Sequence, residues 1–325
     1  MPRPPVMPAE DLQQSAPPAS VSLSRAGVTR SAKAIRMGRG EGERLFQADI
    51  SCFADLSSRQ KGVHMSRFEE GMNEAIDEVV AAGGLVIEAL AQRIAERVVS
   101  AQGAQRSEVT IRASYPVSRA TPVSGVESRE MFGLIGVAVA TPRGSRRAIG
   151  VSAQGMNACP CAQGLLAAQA GHDLAEAGYD TAQVAEILRV VPVATHNQRA
   201  RGTLYVGAPG GPPVPADELL AIVEESMSSE IYELLKRPDE RYVVDRAHRR
   251  PRFVEDSVRE MVRGVVQRFP HLPDDGFVWA HQANFETIHT HDVEAERHGT
   301  LGDVRGELSG GTGGAHVDLW SWLAG

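Results

Sequence analysis

The feature of this sequence that most constrains its fold is a pattern of strands and paired long helices that occurs twice along the chain. In the first half, apolar residues recur at helical spacing over residues 68–79 and 86–98. The pair Gly83-Gly84 lies between these stretches and predicts a break between two helices.

The second half of the chain carries the same pattern. Helical spacing recurs over residues 220–231, where Asp217 is the expected cap, and over residues 254–265. Strand-like stretches accompany both helix pairs, at 45–56, 109–117, 133–140, 147–153, 203–206 and 276–281. Two such copies predict an α+β fold built by duplication, although the identity between the copies is too low to establish a repeat.

Composition divides the chain into five segments. Residues 1–42 are rich first in Pro, Ala and Ser and then in Arg and Lys, which predicts a disordered, basic and extended lead-in. The remaining segments are a first module at 43–156, a loop with a helical insert at 157–200, a second module at 201–298 and a flexible glycine-rich tail at 299–325. Within the insert, Thr181 is the expected cap of a short helix.

Charge and hydropathy exclude several classes of protein. The formal net charge of −7 argues against a general nucleic-acid binder, although a local basic pocket could still hold an anionic substrate. The sequence contains no apolar run of the ~20 residues that cross a bilayer, and no secretory signal at its start. We therefore expect no membrane partner and a cytoplasmic location. The three cysteines are too few for a disulfide framework.

Three clusters of reactive side chains stand out, at residues 157–161, 195–199 and 285–292. Together they offer thiol, imidazole and carboxylate groups, the ligands of a catalytic zinc-type ion. Taken singly, they are better explained by a buried cysteine, a histidine bonded to a loop carbonyl and a solvated acidic turn. Glu286 and His289 are three residues apart, so only a bend or a helical turn brings them together.

Six stretches carry a resemblance to a known family. They are SSRQKGVHMSRF at 57–68, CPC at 159–161, HNQR at 196–199, LLKRPDE at 234–240, FVED at 253–256 and ETIHTH at 286–291. In this order they resemble the motifs of the type IB GTP cyclohydrolases, from about Arg59 to Asp292. The interval between CPC and HNQR is longer than in the bacterial enzymes and is similar to that of archaeal relatives.

The resemblance implies a metal centre. One divalent ion per site, which could be zinc, iron(II) or manganese, is expected to bind Cys159, His196, Glu286 and His289. Cys161 is then a supporting thiol. The rival interpretation is that Cys159 is a catalytic nucleophile that forms a covalent adduct with a pterin-like ring.

The resemblance also implies roles toward the guanine ring. Glu255 is expected to accept the two adjacent donors of the guanine edge, with an ion pair to Arg259 as the alternative. Glu240 is a weaker substrate-binding candidate, for which the alternative is a solvated acidic loop. His291 is the predicted acid/base, because imidazole titrates near neutral pH.

No P-loop sequence is present, so phosphate contacts must come from side chains. The candidates are Lys61, His64, Arg67 and Arg199. For Arg67, the alternative is an ion pair with Glu69 or Glu70.

The expected activity is that of a GTP cyclohydrolase: hydrolysis of the guanine ring of GTP at C8, with release of formate and formation of 7,8-dihydroneopterin triphosphate for tetrahydrofolate biosynthesis. The alternatives are the 2′,3′-cyclic phosphate product of the archaeal relatives, and a non-catalytic pterin-binding protein. The resemblance further implies the tunnelling fold, in which two tandem modules of antiparallel sheet with paired helices assemble into barrels. A homotetramer with sites at subunit interfaces is expected.

Overall fold

The computed structural model describes residues 11–37, 44–82 and 86–325. The start of the predicted lead-in and the predicted Gly83-Gly84 break lie outside these ranges. The strands are β1 (Leu23–Met37), β2 (Arg44–Leu56), β3 (Ser107–Ala120), β4 (Glu127–Thr141), β5 (Gly144–Ala158), β6 (Asn197–Gly207), β7 (Ser229–Glu230), β8 (Phe277–Asn284) and β9 (Val293–Thr300). The helices are α1 (Met65–Ala82), α2 (Ile87–Gln102), α3 (Pro160–Glu176), α4 (Thr181–Val190), α5 (Ala216–Ser226), α6 (Arg237–Arg249), α7 (Val254–Arg268), α8 (Leu301–Leu308) and α9 (Leu319–Ala324).

The chain forms two compact units. The first comprises the chain up to Ala113 together with Ile135–Ala148 and Trp320–Gly325, and the second comprises Ser114–Leu134 and Ile149–Leu319. These units differ from the predicted tandem ranges because the long strands β3, β4 and β5 each contribute residues to both. A sequence pattern that assigns each strand to one module misses this arrangement.

In the first unit the strands lie in the order β1-β2-β3-β4-β5, with α1 and α2 packed against the sheet. Every second residue of β2 from Phe46 to Leu56 is buried, the alternation of a strand with one covered face. Phe68, Leu90 and Ile94 of the two helices are fully buried. Each such side chain contributes about 1.5–3 kcal/mol of transfer free energy to the core.

Strand β1 corrects the predicted lead-in. Residues 23–37 form a full strand that pairs antiparallel with β2, from Leu23 opposite Leu56 to Met37 opposite Arg44. The basic residues that suggested an unpaired segment suit an edge strand, because charges there discourage further pairing. Lys33, for example, forms an ion pair with Glu69 of α1 at 2.5 Å.

In the second unit the strands lie in the order β3-β4-β5-β6-β8-β9, and β7 pairs with β5. Gly202 of β6 shows which face the helices cover, since an added Cβ would meet Val223 of α5 at 2.5 Å and Met261 of α7 at 3.6 Å. The α+β class is thus confirmed, with antiparallel strands and helices on a sheet face. Every helix within the described ranges is too short or too polar to span a bilayer.

Several predicted boundaries in the second half are wrong. Helix α5 begins after Pro215, so Asp217 lies inside its first turn, and it ends at Ser226 well before Ile231. The cap of α4 is Asp180 and not Thr181, because Asp180 and Gln183 form a reciprocal capping box.

The predicted flexible tail is ordered. Thr300 caps α8, whose Leu301 is fully buried. At the end of the chain, Trp322 is buried in the first unit. The guanidinium of Arg146 donates to its carbonyl at 2.8 Å and lies over its ring at 5.4 Å. A tail rich in glycine therefore still packs through its last apolar residues.

Candidate active site

Two of the predicted metal ligands lie where β5 and β6 begin to separate. Cys159 directly follows β5 and is the N-cap of α3, while His196 directly precedes β6. The backbone N–H of Cys159 donates to the carbonyl of His196 at 3.1 Å, and the hydroxyl of Thr195 donates to the carbonyl of Cys159 at 3.0 Å. The ladder of β5 with β6 thus joins the ends of the α3–α4 insert and places two ligand candidates side by side.

Glu286 reaches the same place through the pairing of β6 with β8. Its Oε2 lies 4.0 Å from Nδ1 of His196, and both side chains are almost buried. Gln198 Nε2 donates to Oε1 of Glu286 at 2.9 Å and so fixes the orientation of the carboxylate. This role of Gln198 was not predicted. Its place in the HNQR stretch, two residues after a ligand candidate, was the available signal.

The Nδ1 atom of His196 is buried, and none of the residues that the structure describes forms a hydrogen bond with it. Leaving such a buried polar atom unpaired costs free energy, so its environment calls for a further group. Glu286 offers a carboxylate to this imidazole, and Cys159, whose backbone is hydrogen-bonded to that of His196, offers a thiol. Donors of these three kinds suit a divalent cation of the zinc type.

The remaining predicted ligand, His289, lies on a bend after β8. The N–H of Glu286 donates to Oδ1 of Asp292 at 3.1 Å, which closes this bend. His289 and His291 are both exposed, and their rings stack at 5.2 Å between centroids. Among the residues that the structure describes, no three His, Cys, Asp or Glu side chains are grouped to hold a metal ion. The full ligand set therefore stays a prediction.

A cavity of about 430 Å³ adjoins β4, β5 and β6. Arg199 and Arg201 of β6 both line it, because residues two apart share one face of a strand. Both arginines are exposed, and Arg201 lies 5.5 Å from the ring centre of Phe285. Arg199 was predicted as a phosphate contact; Arg201 was missed, although the same alternation indicates it.

Glu255 and Glu240 are both exposed in the first turns of helices. Arg259 forms an ion pair with Asp256 at 3.0 Å, so the alternative pairing of Arg259 with Glu255 is absent from the described residues. Glu255 instead lines a groove of about 410 Å³ with α8 and β9. Glu240 lies on α6, a helix that replaces the predicted acidic loop.

The other predicted phosphate contacts precede or begin α1, in the first unit. Lys61 is exposed, and His64 Nε2 lies 3.2 Å from a carboxylate oxygen of Asp11. Arg67 donates to the carbonyl of Ala101 at 2.9 Å, in place of the alternative ion pair with Glu69.

The family model described as "Type I GTP cyclohydrolase folE2" matches residues 9–295. The chain belongs to this family.

Membership agrees with the curated relatives. GTP cyclohydrolase MptA of Methanococcus aeolicus is 40% identical over 306 residues, which cover 92% of this chain and 99% of that protein. GTP cyclohydrolase MptA of Methanosarcina barkeri is 36% identical over 309 residues, covering 92% and 97%. The family model identifies type I and says nothing of type IB, so the assignment to type IB stays a prediction.

Among solved structures, the uricase from Arthrobacter globiformis has a TM-score of 0.50 at 9% identity, covering 92% of this chain and 98% of that one. At this identity the likeness shows the fold alone. The likeness confirms the prediction that this chain has the tunnelling fold.

Proposed function

We propose that this chain is a metal-dependent GTP cyclohydrolase of type IB, which hydrolyses the guanine ring of GTP at C8 and releases formate. The observation that carries the proposal is the buried, unpaired Nδ1 of His196, which faces Glu286 beside Cys159 in a member of a GTP cyclohydrolase family. The match of this chain to the two relatives named GTP cyclohydrolase covers almost the whole length of each relative.

Four side chains would hold the ion, which is zinc, iron(II) or manganese: Cys159, His196, Glu286 and His289. When bound, such an ion supplies Lewis acidity that makes water nucleophilic near neutral pH. His289 is exposed on the bend, which is held by the hydrogen bond from the N–H of Glu286 to Asp292 and by that from the hydroxyl of Thr287 to the carbonyl of Asn197. To reach the ion, its side chain would turn toward Glu286. Gln198 keeps one oxygen of Glu286 occupied, so that the other faces His196.

Glu255 would recognise the guanine edge. Its carboxylate has no hydrogen-bond partner among the described residues, and Arg259, the cation expected to compete for it, is engaged by Asp256. A free carboxylate can accept both donors of the guanine edge in a paired geometry. Purines without those donors would leave the carboxylate unpaired and are rejected for that reason. Glu240 is a second, weaker candidate for substrate contact.

His291 would deliver the proton that ring opening requires at the nitrogen next to C8. It is exposed and stacks on His289, so its ring is open to solvent. Arg199, Lys61, His64 and Arg67 would contact the phosphates, and Arg201 shares the face of Arg199. Arginine suits this role because its planar donors match phosphate oxygens.

The proposed product is 7,8-dihydroneopterin triphosphate, for tetrahydrofolate biosynthesis. The second candidate is the 2′,3′-cyclic phosphate, which is favoured by one observation: helices α3 and α4 lengthen the interval between Cys159 and His196. A cytoplasmic homotetramer, with sites at subunit interfaces and barrels formed between subunits, completes the proposal.

The test is to incubate the purified protein anaerobically with GTP and each divalent metal in turn, and to measure formate and the mass of the product. We expect formate equal to the GTP consumed, abolished by a chelator and by Cys159→Ala. Cys52→Ala, a buried cysteine of β2 in the first unit, is the matched control and retains activity. Turnover that persists with a chelator, together with an adduct on Cys159, would support the thiol nucleophile instead. GTP binding without formate would indicate a non-catalytic protein.

A further inference from the structure

A single buried amide of β5 is hydrogen-bonded to three other segments of the second unit. Asn157, near the end of β5, is fully buried. Its Nδ2 donates to the hydroxyl of Ser257 at 3.1 Å and to Oδ1 of Asn284 at 3.1 Å. Its Oδ1 accepts the backbone N–H of Ser228 at 3.0 Å. Both hydrogens and the oxygen of the amide are therefore in use.

Asn157, Ser257 and Asn284 are each two positions from a proposed site residue. Cys159 follows Asn157 by two residues, Glu286 follows Asn284 by two, and Glu255 precedes Ser257 by two. These three segments belong to a strand end, a second strand end and the first turn of α7. They are far apart in the sequence and meet at this amide.

The surrounding backbone is fixed by the same group of residues. The N–H of Ala158 donates to the hydroxyl of Ser228 at 3.1 Å, and the N–H of Arg252 donates to the carbonyl of Ala158 at 3.0 Å. Ser228 and Ser257 are fully buried, so no water can substitute for a lost partner without a new cavity. A buried polar network of this kind favours one arrangement of its segments, because any other leaves donors unpaired.

We propose that Asn157 is a positioning residue, which sets the mutual placement of the segments that carry Cys159, Glu255 and Glu286. The inference rests on the proposed function for the roles of those three residues. It does not rest on that function for the placement itself, which can be measured in the metal-free protein.

The test compares Asn157→Ala with Ile94→Val, a fully buried substitution in α2 of the first unit that also lowers stability. In metal-free protein, we expect amide hydrogen exchange in Asn157→Ala to accelerate about fivefold to tenfold in all three segments. With Co²⁺ as the probe, we expect the dissociation constant to rise about 10–100-fold. We also expect the thiolate-to-cobalt absorption to weaken. Ile94→Val should change neither the exchange of these segments nor the Co²⁺ affinity.

Ser257→Ala provides a second variant, which removes one hydrogen bond of Asn157 together with the long bond of the Ser257 hydroxyl to the carbonyl of Phe253 at 3.5 Å. It should weaken Co²⁺ binding less than Asn157→Ala does, and it should add almost nothing when combined with it, because the two residues act through one bond. Acceleration confined to residues 157–159, or Co²⁺ affinity equal to that of Ile94→Val, would overturn the inference. If wild-type protein binds no Co²⁺ while the exchange result holds, the proposed function fails and the positioning role stands.

Discussion

At the scale of single residues, the site depends on which polar atoms are satisfied. His196 and Glu286 are both almost buried and lie 4.0 Å apart, too far for a hydrogen bond. Gln198 holds Glu286 from the other side. The carboxylate is thus oriented before any ligand binds, which is how preorganised sites limit the cost of binding.

Gln198→Ala tests this orientation. Without the amide donor, Glu286 can rotate away from His196, so metal affinity should fall about 10–100-fold, the range usual for residues that orient a ligand. The measurement is a metal titration by calorimetry. Gln169→Ala, on the exposed face of α3, is the control and should bind as wild type does. Equal affinity of the two variants would show that Gln198 has no orienting role.

Asp239 is a buried carboxylate next to the candidate Glu240, and its role is structural. It accepts the N–H groups of Val123 and Ser124 at 2.9 Å and that of Lys236 at 3.0 Å, so it joins the turn after β3 to the start of α6. Burial alone would raise the pKa of Asp239, but the hydrogen bond from the hydroxyl of Ser124 at 2.6 Å, together with the three backbone bonds, outweighs burial and holds the pKa well below its usual value of 3.8.

Asp239→Asn should therefore lower the melting temperature at neutral pH by roughly 3 to 6 °C. Because the folded-state pKa is depressed, the stabilisation is present in full above the unfolded pKa near 3.8 and is lost as the pH falls through the lower folded-state pKa. The difference between wild type and variant should accordingly shrink below pH 3.8. A difference that is constant from pH 7 to pH 3 would contradict this assignment.

Some residue-level roles could be predicted and others could not. The ligand candidates Cys159, His196 and Glu286 lie in clusters of reactive residue types, and the family resemblance selected them within those clusters. Asn157 and Gln198 were missed because an amide is chemically bland, and only burial and partners show its role. Once β6 is known to be a strand, the alternation of side chains predicts that Arg201 lies on the same face as Arg199.

At the scale of elements, close packing between backbones explains why certain positions are glycine. In β4, a Cβ added to Gly136 would lie 2.6 Å from the carbonyl oxygen of Ile87, at the start of α2. The helix therefore approaches the strand more closely than any side chain would allow. This contact ties α2 to the sheet of the first unit.

Gly136→Ala should destabilise the protein by about 1–3 kcal/mol, because backbone must move to relieve the overlap. Gly164→Ala is the matched control. Gly164 lies inside α3, where nothing is within 4 Å of an added Cβ, so alanine there should stabilise by about 0.4–1 kcal/mol. Urea unfolding measures both. A Gly136→Ala variant as stable as wild type would mean that α2 is free to shift.

Element identity was predicted best where apolar periodicity was strong. Helices α1, α2, α5 and α7 and strand β2 follow their patterns. Strand β1 and helix α6 were missed because an edge strand and a surface helix rich in charge carry little apolar signal. The predicted helix ends were wrong where a capping residue sets the end, as at Asp180, the N-cap of α4.

At the scale of the whole molecule, the fold class followed from the sequence but the division of the chain did not. The duplication pattern indicated strands with paired helices, which the structure has. It could not show that β3, β4 and β5 contribute residues to both compact units. The residues of a long strand do not indicate where the strand passes from one unit to the other. The apolar residues that end the tail suggested a docking segment but not its place, which is in the first unit, where Trp322 is buried.

The account depends on side chains from three separate segments binding one ion. The most direct measurement is the X-ray absorption spectrum of the zinc-loaded protein, with one equivalent of zinc per chain. The account predicts a single sulfur neighbour at about 2.3 Å, from Cys159, with the other neighbours nitrogen or oxygen at about 2.0–2.1 Å. A zinc shell without sulfur, or unchanged after Cys159→Ala, would contradict it.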